Sequence, residues 1–442
     1  MALTPPRFWH QGRTILLVSW LLASVSYLSL FFGATYTEEG FAPGRLLLGL
    51  LFTQAFFLIA ALLSHYPALP SPVEWARRYP RRVFAISLAA QTAALIAVAL
   101  TMRVWNDEEF NLEQAAYFAQ HGLTKWLADY GSINFWLGLH HPPLLALLYA
   151  LFYRVCGAHL LAGRLFNILF SAAALVAAHR LVRRTTEEPT AALASLAWPL
   201  FPVWLFNGAA AILEGPFLLV LLLTADAFVA FLEKPTHRRG LAAGGWLALG
   251  MLCRYNIVLL LPGLLLLLLG RDRRALWRNP ATAWIAVVPL ILLAPLAWTA
   301  AGSGLLATQK AQLSWVFLLL RPGGVAYMLG ILLPLWPLQV GAHLIPAATL
   351  SLGMLWKGEG KNPLLLTLGG CYLLLVLVIL PNPRYFLPAV PFLAVGAARL
   401  LQYLRAREKA DTAVWLGLLA ASLTLTVLVL TGAKWDGFYP FY

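Results

Sequence analysis

The stretch that decides this chain's architecture opens with Arg103-Val-Trp-Asn-Asp107-Glu108-Glu109-Phe110 and closes with His140-His141-Pro142-Pro143-Leu144. Asn111, Glu113, Gln114, His121, Lys125, Asp129 and Asn134 lie between these ends, and strongly apolar sequence lies on both sides. The chain has 18 acidic residues, and five of them (Asp107, Glu108, Glu109, Glu113 and Asp129) fall inside this one interruption. A charge at the centre of a bilayer is costly, whereas carboxylates just past the end of an apolar span stay ionised at the membrane boundary. There they can still reach a molecule held in the lipid. The rest of the chain reads as a frame for this segment.

Working outward, 61% of the 442 residues are hydrophobic, only 11% are charged, and mean hydropathy is +0.75. Repeated apolar runs of about 20 residues, each able to satisfy its own backbone in lipid, are the mark of a polytopic helical membrane protein. Such runs occur at roughly 14–33, 45–64, 83–102, 161–182, 190–208, 212–232, 240–253 and 255–270. They continue at roughly 281–300, 330–356, 363–380, 386–404 and 412–432. The net charge of +14 comes largely from short clusters between runs, such as Arg77-Arg78, Arg183-Arg184, Arg273-Arg274 and Arg405 with Arg407. About thirteen spans with a cytoplasmic N-terminus place all of these clusters on one side, as orientation by basic loops requires. No basic face interleaved with aromatics appears, so nucleic acid is not an expected partner. Cys156, Cys253 and Cys371 are scattered in apolar surroundings and suggest neither a disulfide framework nor a zinc site. The first apolar run lacks a small-residue cleavage site and reads as a retained span.

The same topology settles Pro142 to Gly157. Counted as a span, it would move Arg180, Arg183 and Arg184 to the outside. Its two leading prolines suit a helix start, so it reads as a juxtamembrane or re-entrant helix within an outward loop over 103–160. The short runs 240–253 and 255–270 meet at Arg254, and a break there puts a cation at membrane depth.

Several residues carry candidate chemistry. In Asp107-Glu108-Glu109 one carboxylate can deprotonate an acceptor hydroxyl, since neighbouring acids beside apolar surface have their pKa values pushed apart. The alternative is a solvated acidic loop end. Arg254, in Cys253-Arg254-Tyr255-Asn256, suits bidentate phosphate contact, or else it snorkels to the interface. Glu214 either lines the site or starts a helix. Arg384-Tyr385 sits at the outer start of a span, where the cation can clamp a phosphate or serve as an interfacial anchor. Lys310 and Arg321, in an outward loop, are candidate lid residues. His140 and His141 are candidates for the polar lining of the cavity, where they can help bind a phosphate or sugar. No cofactor is expected unless a divalent cation is held by these histidines with a carboxylate, a weak metal site because helical ligand pairs favour i,i+4 spacing.

The order of these features resembles the GT-C superfamily of membrane glycosyltransferases, nearest to the protein O-mannosyltransferase branch and the lipid A aminoarabinose transferases. The resemblance rests on Asp-Glu directly after a span, His-Pro-Pro-Leu and a short apolar helix ending in Gly157. It continues with Arg164-Leu165-Phe166-Asn167 and ends on Arg384-Tyr385-Phe386-Leu387-Pro388, covering about Arg82 to Arg405. It implies an all-α polytopic fold and an inverting transfer of a monosaccharide from a polyprenyl-phosphate carrier at the non-cytoplasmic face. It also implies Asp107 as the catalytic base with Glu108 beside it, and Arg254, Arg384 and Tyr385 at the donor phosphate. His141-Pro142-Pro143 stands where the family's His-Pro-Pro segment stands.

The expected organisation is two additional helices over 1–81, a catalytic core over 82–405, and a last helix with a short outward tail over 406–442. The acceptor is a lipid, a glycan or a protein. The Ala/Leu/Arg-rich composition points to a bacterial inner membrane, with the site facing the periplasm or exterior. The competing readings are a transporter or flippase for a lipid-linked sugar and a non-catalytic subunit of a glycan assembly complex. Transporters often carry internal repeats, and none is evident here.

Overall fold

The computed structural model describes residues 12–32, 43–64, 70–102, 106–129, 142–270, 276, 278–302, 344, 369–370, 383–407 and 409–432. Among these residues every regular element is an α-helix or a 3-10 turn. Proline opens many of the helices, because its missing N–H is no loss in a first turn. After α1 (Gly12–Phe32), this holds for α2 (Pro43–Leu63), α3 (Pro72–Arg78), α4 (Pro80–Thr101) and α6 (Pro143–Cys156). The acidic interruption, expected as a loop, is itself a helix, α5 (Asn106–Asp129), bent where Gly122 adopts φ 73°. Three of its acids, Asp107, Glu108 and Glu109, lie in the first turn, where the helix dipole favours negative charge. Ala115 and Phe118 give it a buried face.

Next come α7 (Leu160–Thr185) and α8 (Glu188–Ala197), then a 3-10 turn at Trp198–Leu200 and α9 (Pro202–Ala209). The run at 190–208, expected as one straight span, is bent by 81° between the turn and α9. Pro199 and Pro202 each remove a donor, and Phe201, directly before a proline, is held extended. All eight residues of α9 are buried. After Ala210–Leu213 the chain continues as α10 (Glu214–Glu233) and α11 (His237–Cys253). The break expected at Arg254 is present: its backbone is extended (φ −162°, ψ 132°), and a 3-10 turn at Tyr255–Leu260 leads into α12 (Leu261–Gly270). A third 3-10 turn at Pro280–Ala283 begins α13 (Trp284–Gly302). The series ends with a turn at Pro383–Ala389, α14 (Val390–Arg407) and α15 (Asp411–Gly432). Apart from Leu344, Gly369 and Gly370, the expected runs at 330–356 and 363–380 lie outside the described residues.

Among the described residues, α4, α7, α10 and the segment Phe386–Arg407 are long and apolar enough to cross a membrane. The bent pair α8–α9 makes a fifth if it is one span. Leu51, Leu58 and Leu62 on α2 and Leu290 and Ile291 on α13 face outward, as side chains meeting lipid do. The chain is an integral membrane protein.

Helix α10 packs between α7 and α11, α11 packs on α13, and α1 and α2 pack against α15. Small residues set the closest approaches, because helices in lipid associate through van der Waals fit. Gly240 and Gly244 lie one turn apart on α11, and a Cβ on either would strike the backbone carbonyls of Ala281 and Trp284 respectively. Gly245 beside them faces open space. Gly240→Ala is therefore expected to cost about 1–3 kcal/mol, because a backbone carbonyl cannot swing aside. Gly245→Ala should be neutral or stabilising by about 0.5–1 kcal/mol through helix propensity alone. Thermal unfolding of the two variants in detergent checks the contrast, and equal midpoints would refute this packing.

Candidate active site

The site begins at the end of α4. Arg164, in the second turn of α7, reaches Glu108 in the first turn of α5 through two parallel bonds, Nε to Oε1 at 2.9 Å and Nη2 to Oε2 at 2.8 Å. Its Nη1 donates to the carbonyls of Ala99 (2.5 Å) and Met102 (3.1 Å), groups that the end of a helix leaves without intrahelical partners. Glu108 Oε1 also accepts from the Ala211 N–H at 2.6 Å. Both side chains are out of solvent, at 5% and 0% exposure. A buried carboxylate persists only with this kind of pairing, and the fork of arginine matches it in two places at once.

A second buried pair lies three residues beyond Ala211. Glu214, the first residue of α10, accepts from Arg254 Nη1 at 2.5 Å, with side-chain exposures of 4% and 5%. The Arg254 guanidinium also lies 5.9 Å from the centre of the Phe217 ring, within cation–π range. The break after α11 thus delivers a cation to the interior, and the start of α10 delivers its counter-charge.

Between the pairs runs the non-helical link Ala210–Leu213, whose backbone groups are taken up by side chains from other helices. Asn111 Nδ2 donates to the Ala211 carbonyl at 3.3 Å, and the Tyr149 hydroxyl donates to the Ile212 carbonyl at 3.0 Å. Just before the link, Asn167 Nδ2 donates to the carbonyls of Asn207 (2.9 Å) and Gly208 (3.0 Å), and Ser171 Oγ donates to Gly208 as well. Burial drives the Tyr149 phenol well above its ordinary value, and the Tyr153 phenol and the Glu108 and Glu214 carboxylates add to the shift. The group therefore stays protonated and remains a donor. Tyr153 is pushed up in the same way, by burial and then by Glu108, and its buried hydroxyl has no hydrogen-bond partner among the described residues. That hydroxyl sits over Gly163, where a Cβ would collide with it.

Of the residues singled out from sequence, Glu108, Glu214 and Arg254 are brought together around this link. Asp107 is the second residue of α5 and precedes Glu108 directly. Arg384 and Tyr385 fall in the turn Pro383–Ala389, which packs against α9 and α10. His140, His141, Lys310 and Arg321 lie outside the described residues. Among the described residues no three His, Cys, Asp or Glu side chains gather as a metal site. Sequence reasoning gave no separate role to Arg164, Asn111 or Tyr149. An arginine inside the opening turns of an apolar span is itself a signal of a buried partner.

The chain is similar to known proteins in sequence over one segment and in fold over most of its length. The family model described as dolichyl-phosphate-mannose-protein mannosyltransferase matches residues 140–298, the part that carries Tyr149, Arg164, Ala211, Glu214 and Arg254. The crystal structure of ArnT from Cupriavidus metallidurans bound to undecaprenyl phosphate is similar at TM-score 0.57 and 14% identity, over 78% of this chain and 76% of that one. The apo structure of the same ArnT is similar at TM-score 0.57 and 16% identity, with the same coverage of both chains. No curated protein matches the chain. The chain therefore has the all-helical GT-C fold that ArnT has, and over 140–298 it matches the mannosyltransferase family model.

Proposed function

We propose that this protein is an inverting glycosyltransferase that moves a monosaccharide from a polyprenyl-phosphate carrier to an acceptor hydroxyl at the non-cytoplasmic face of a bacterial inner membrane. The observation that carries the reading is the anchorage of the first turn of α5. Arg164 holds Glu108 and the last carbonyls of α4 together, which fixes the backbone at Asp107 against the end of a membrane span. A base at that height can meet a hydroxyl arriving from the aqueous side and a sugar presented from the lipid side. The family match over 140–298 and the fold shared with an ArnT whose structure holds undecaprenyl phosphate support the same donor class.

In this reading Asp107 removes the acceptor proton while the acceptor oxygen attacks the anomeric carbon from the face opposite the departing phosphate. Glu108 positions Asp107 through its bonds to Arg164 and Ala211. Arg254, with Arg384 and Tyr385, stabilises the charge that develops on the leaving phosphate, which needs little protonation. His140 and His141 are the proposed cavity lining, and Glu214 holds Arg254. The acceptor is a lipid, glycan or protein hydroxyl, and no nucleotide-sugar site is required. The reading gives Asp107, Glu108 and the phosphate cations separate roles, which a flippase would not need.

The test is turnover by the purified protein with a panel of polyprenyl-phosphate monosaccharides, followed as release of polyprenyl phosphate. Transfer or slow hydrolysis of one donor supports the assignment. Tight binding of a donor with no turnover against any acceptor extract would favour a carrier instead.

A further inference from the structure

The link between the two buried ion pairs is irregular backbone secured by side chains from several helices. Within Ala211 to Glu214, the Ala211 N–H goes to Glu108, the Ala211 carbonyl to Asn111, the Ile212 carbonyl to Tyr149, and the Glu214 side chain to Arg254. Irregular backbone at membrane depth needs its polar groups satisfied, but an apolar helix could have joined α9 to α10 with none of these partners. Instead, successive residues are tied to the acid-bearing helix, then to α6, then to the arginine. Four residues can span at most about 13 Å, so the two ends of the link are close neighbours.

We propose that Ala211–Glu214 is a coupling segment that keeps the acid-bearing first turn of α5 in register with Arg254, and that Tyr149 and Glu214 are its positioning residues. This rests on the functional reading above, in which the two ends handle acceptor proton and donor phosphate. The acid and the cation act on atoms a bond length or two apart, and a misplacement of about 1 Å can cost about a hundredfold in rate. Tyr149 suits the task. Its phenol is buried, held protonated and aimed at the middle of the link, and it stands on α6, which packs on α5, α7 and α11. Tyr149→Phe removes one hydroxyl without changing the ring's packing against Phe166, whose centre lies 4.3 Å away.

The experiment is peptide-resolved hydrogen exchange on the full-length protein, free and with undecaprenyl phosphate, in wild type, Tyr149→Phe, Glu214→Gln and the control Gly417→Ala. Gly417 packs against Ala60 and Leu16, so its variant reports general loosening. Without ligand, Glu214→Gln and Tyr149→Phe are expected to speed exchange over residues 106–113 at least threefold, and Gly417→Ala to leave it unchanged. Unchanged exchange over 106–113 in both site variants overturns the coupling, and so does an equal increase in the control. Should Glu214→Gln fail to fold, Tyr149→Phe alone decides. With undecaprenyl phosphate, wild type should gain protection near 253–257 and over 106–113, and Tyr149→Phe only near 253–257. Absence of protection near 253–257 in wild type counts against the donor assignment, and the ligand-free comparison still decides the coupling. In turnover, Tyr149→Phe should lower kcat about tenfold with the donor KM within about twofold, a split that misregister produces and general instability does not.

Discussion

Asp107→Asn should reduce sugar transfer by about two to four orders of magnitude while leaving affinity for the polyprenyl-phosphate donor within about twofold. Asparagine occupies the same volume and can be held in the same turn of α5, so the change removes basicity and little else. Glu108, the next residue, continues to carry the contacts with Arg164 and Ala211, so the anchorage is untouched. Initial rates and direct donor binding, measured on the same preparation, separate chemistry from fold. A rate within twofold of wild type would remove Asp107 from the base role, and Glu109, two residues further along the same turn, would become the next to test.

The second large effect is on stability. Arg164→Met takes the two-point guanidinium contact away from the buried Glu108 carboxylate, and it also abandons the carbonyls of Ala99 and Met102. Breaking a buried pair by removing one member typically costs about 3–5 kcal/mol, because the remaining charge is uncompensated. Replacing both members is much milder, so Arg164→Met combined with Glu108→Gln should recover a large part of the loss. The glutamine can still accept from Ala211. Detergent unfolding of the two single variants and the double variant makes a complete cycle. Additive losses would mean that the two side chains stabilise the protein independently and that the pair is no anchor.

Much of this architecture was legible in the chain because lipid enforces simple rules. Apolar length marked α4, α7 and α10, and the proline pair marked the start of α6. The charge of Arg254 inside an apolar run marked the break after α11. Two features were not legible. The bend at Phe201 depends on Pro199 and Pro202 acting together, while hydropathy runs unbroken through both. The Glu108–Arg164 pair joins residues 56 positions apart, and no local pattern carries such a contact. The acids of α5 announced chemistry, yet the sequence could not distinguish the one that faces solvent from the one held inside: Glu109 is exposed and Glu108 is fully buried.

The packing of α1 and α2 against α15 also bears on biosynthesis. Gly417 admits Ala60 and Leu16, Ser71 bonds to Asp411, and Glu74 meets Arg405, so segments more than three hundred positions apart close on one another. At roughly 5–20 residues per second, a ribosome needs tens of seconds to travel from the first of these segments to the last. Throughout that interval the early hairpin waits in the membrane with its glycine-fitting face open. Chains stalled or truncated before Asp411 would carry this uncovered seam, which is a natural handle for insertion chaperones and membrane proteases that survey unfinished proteins.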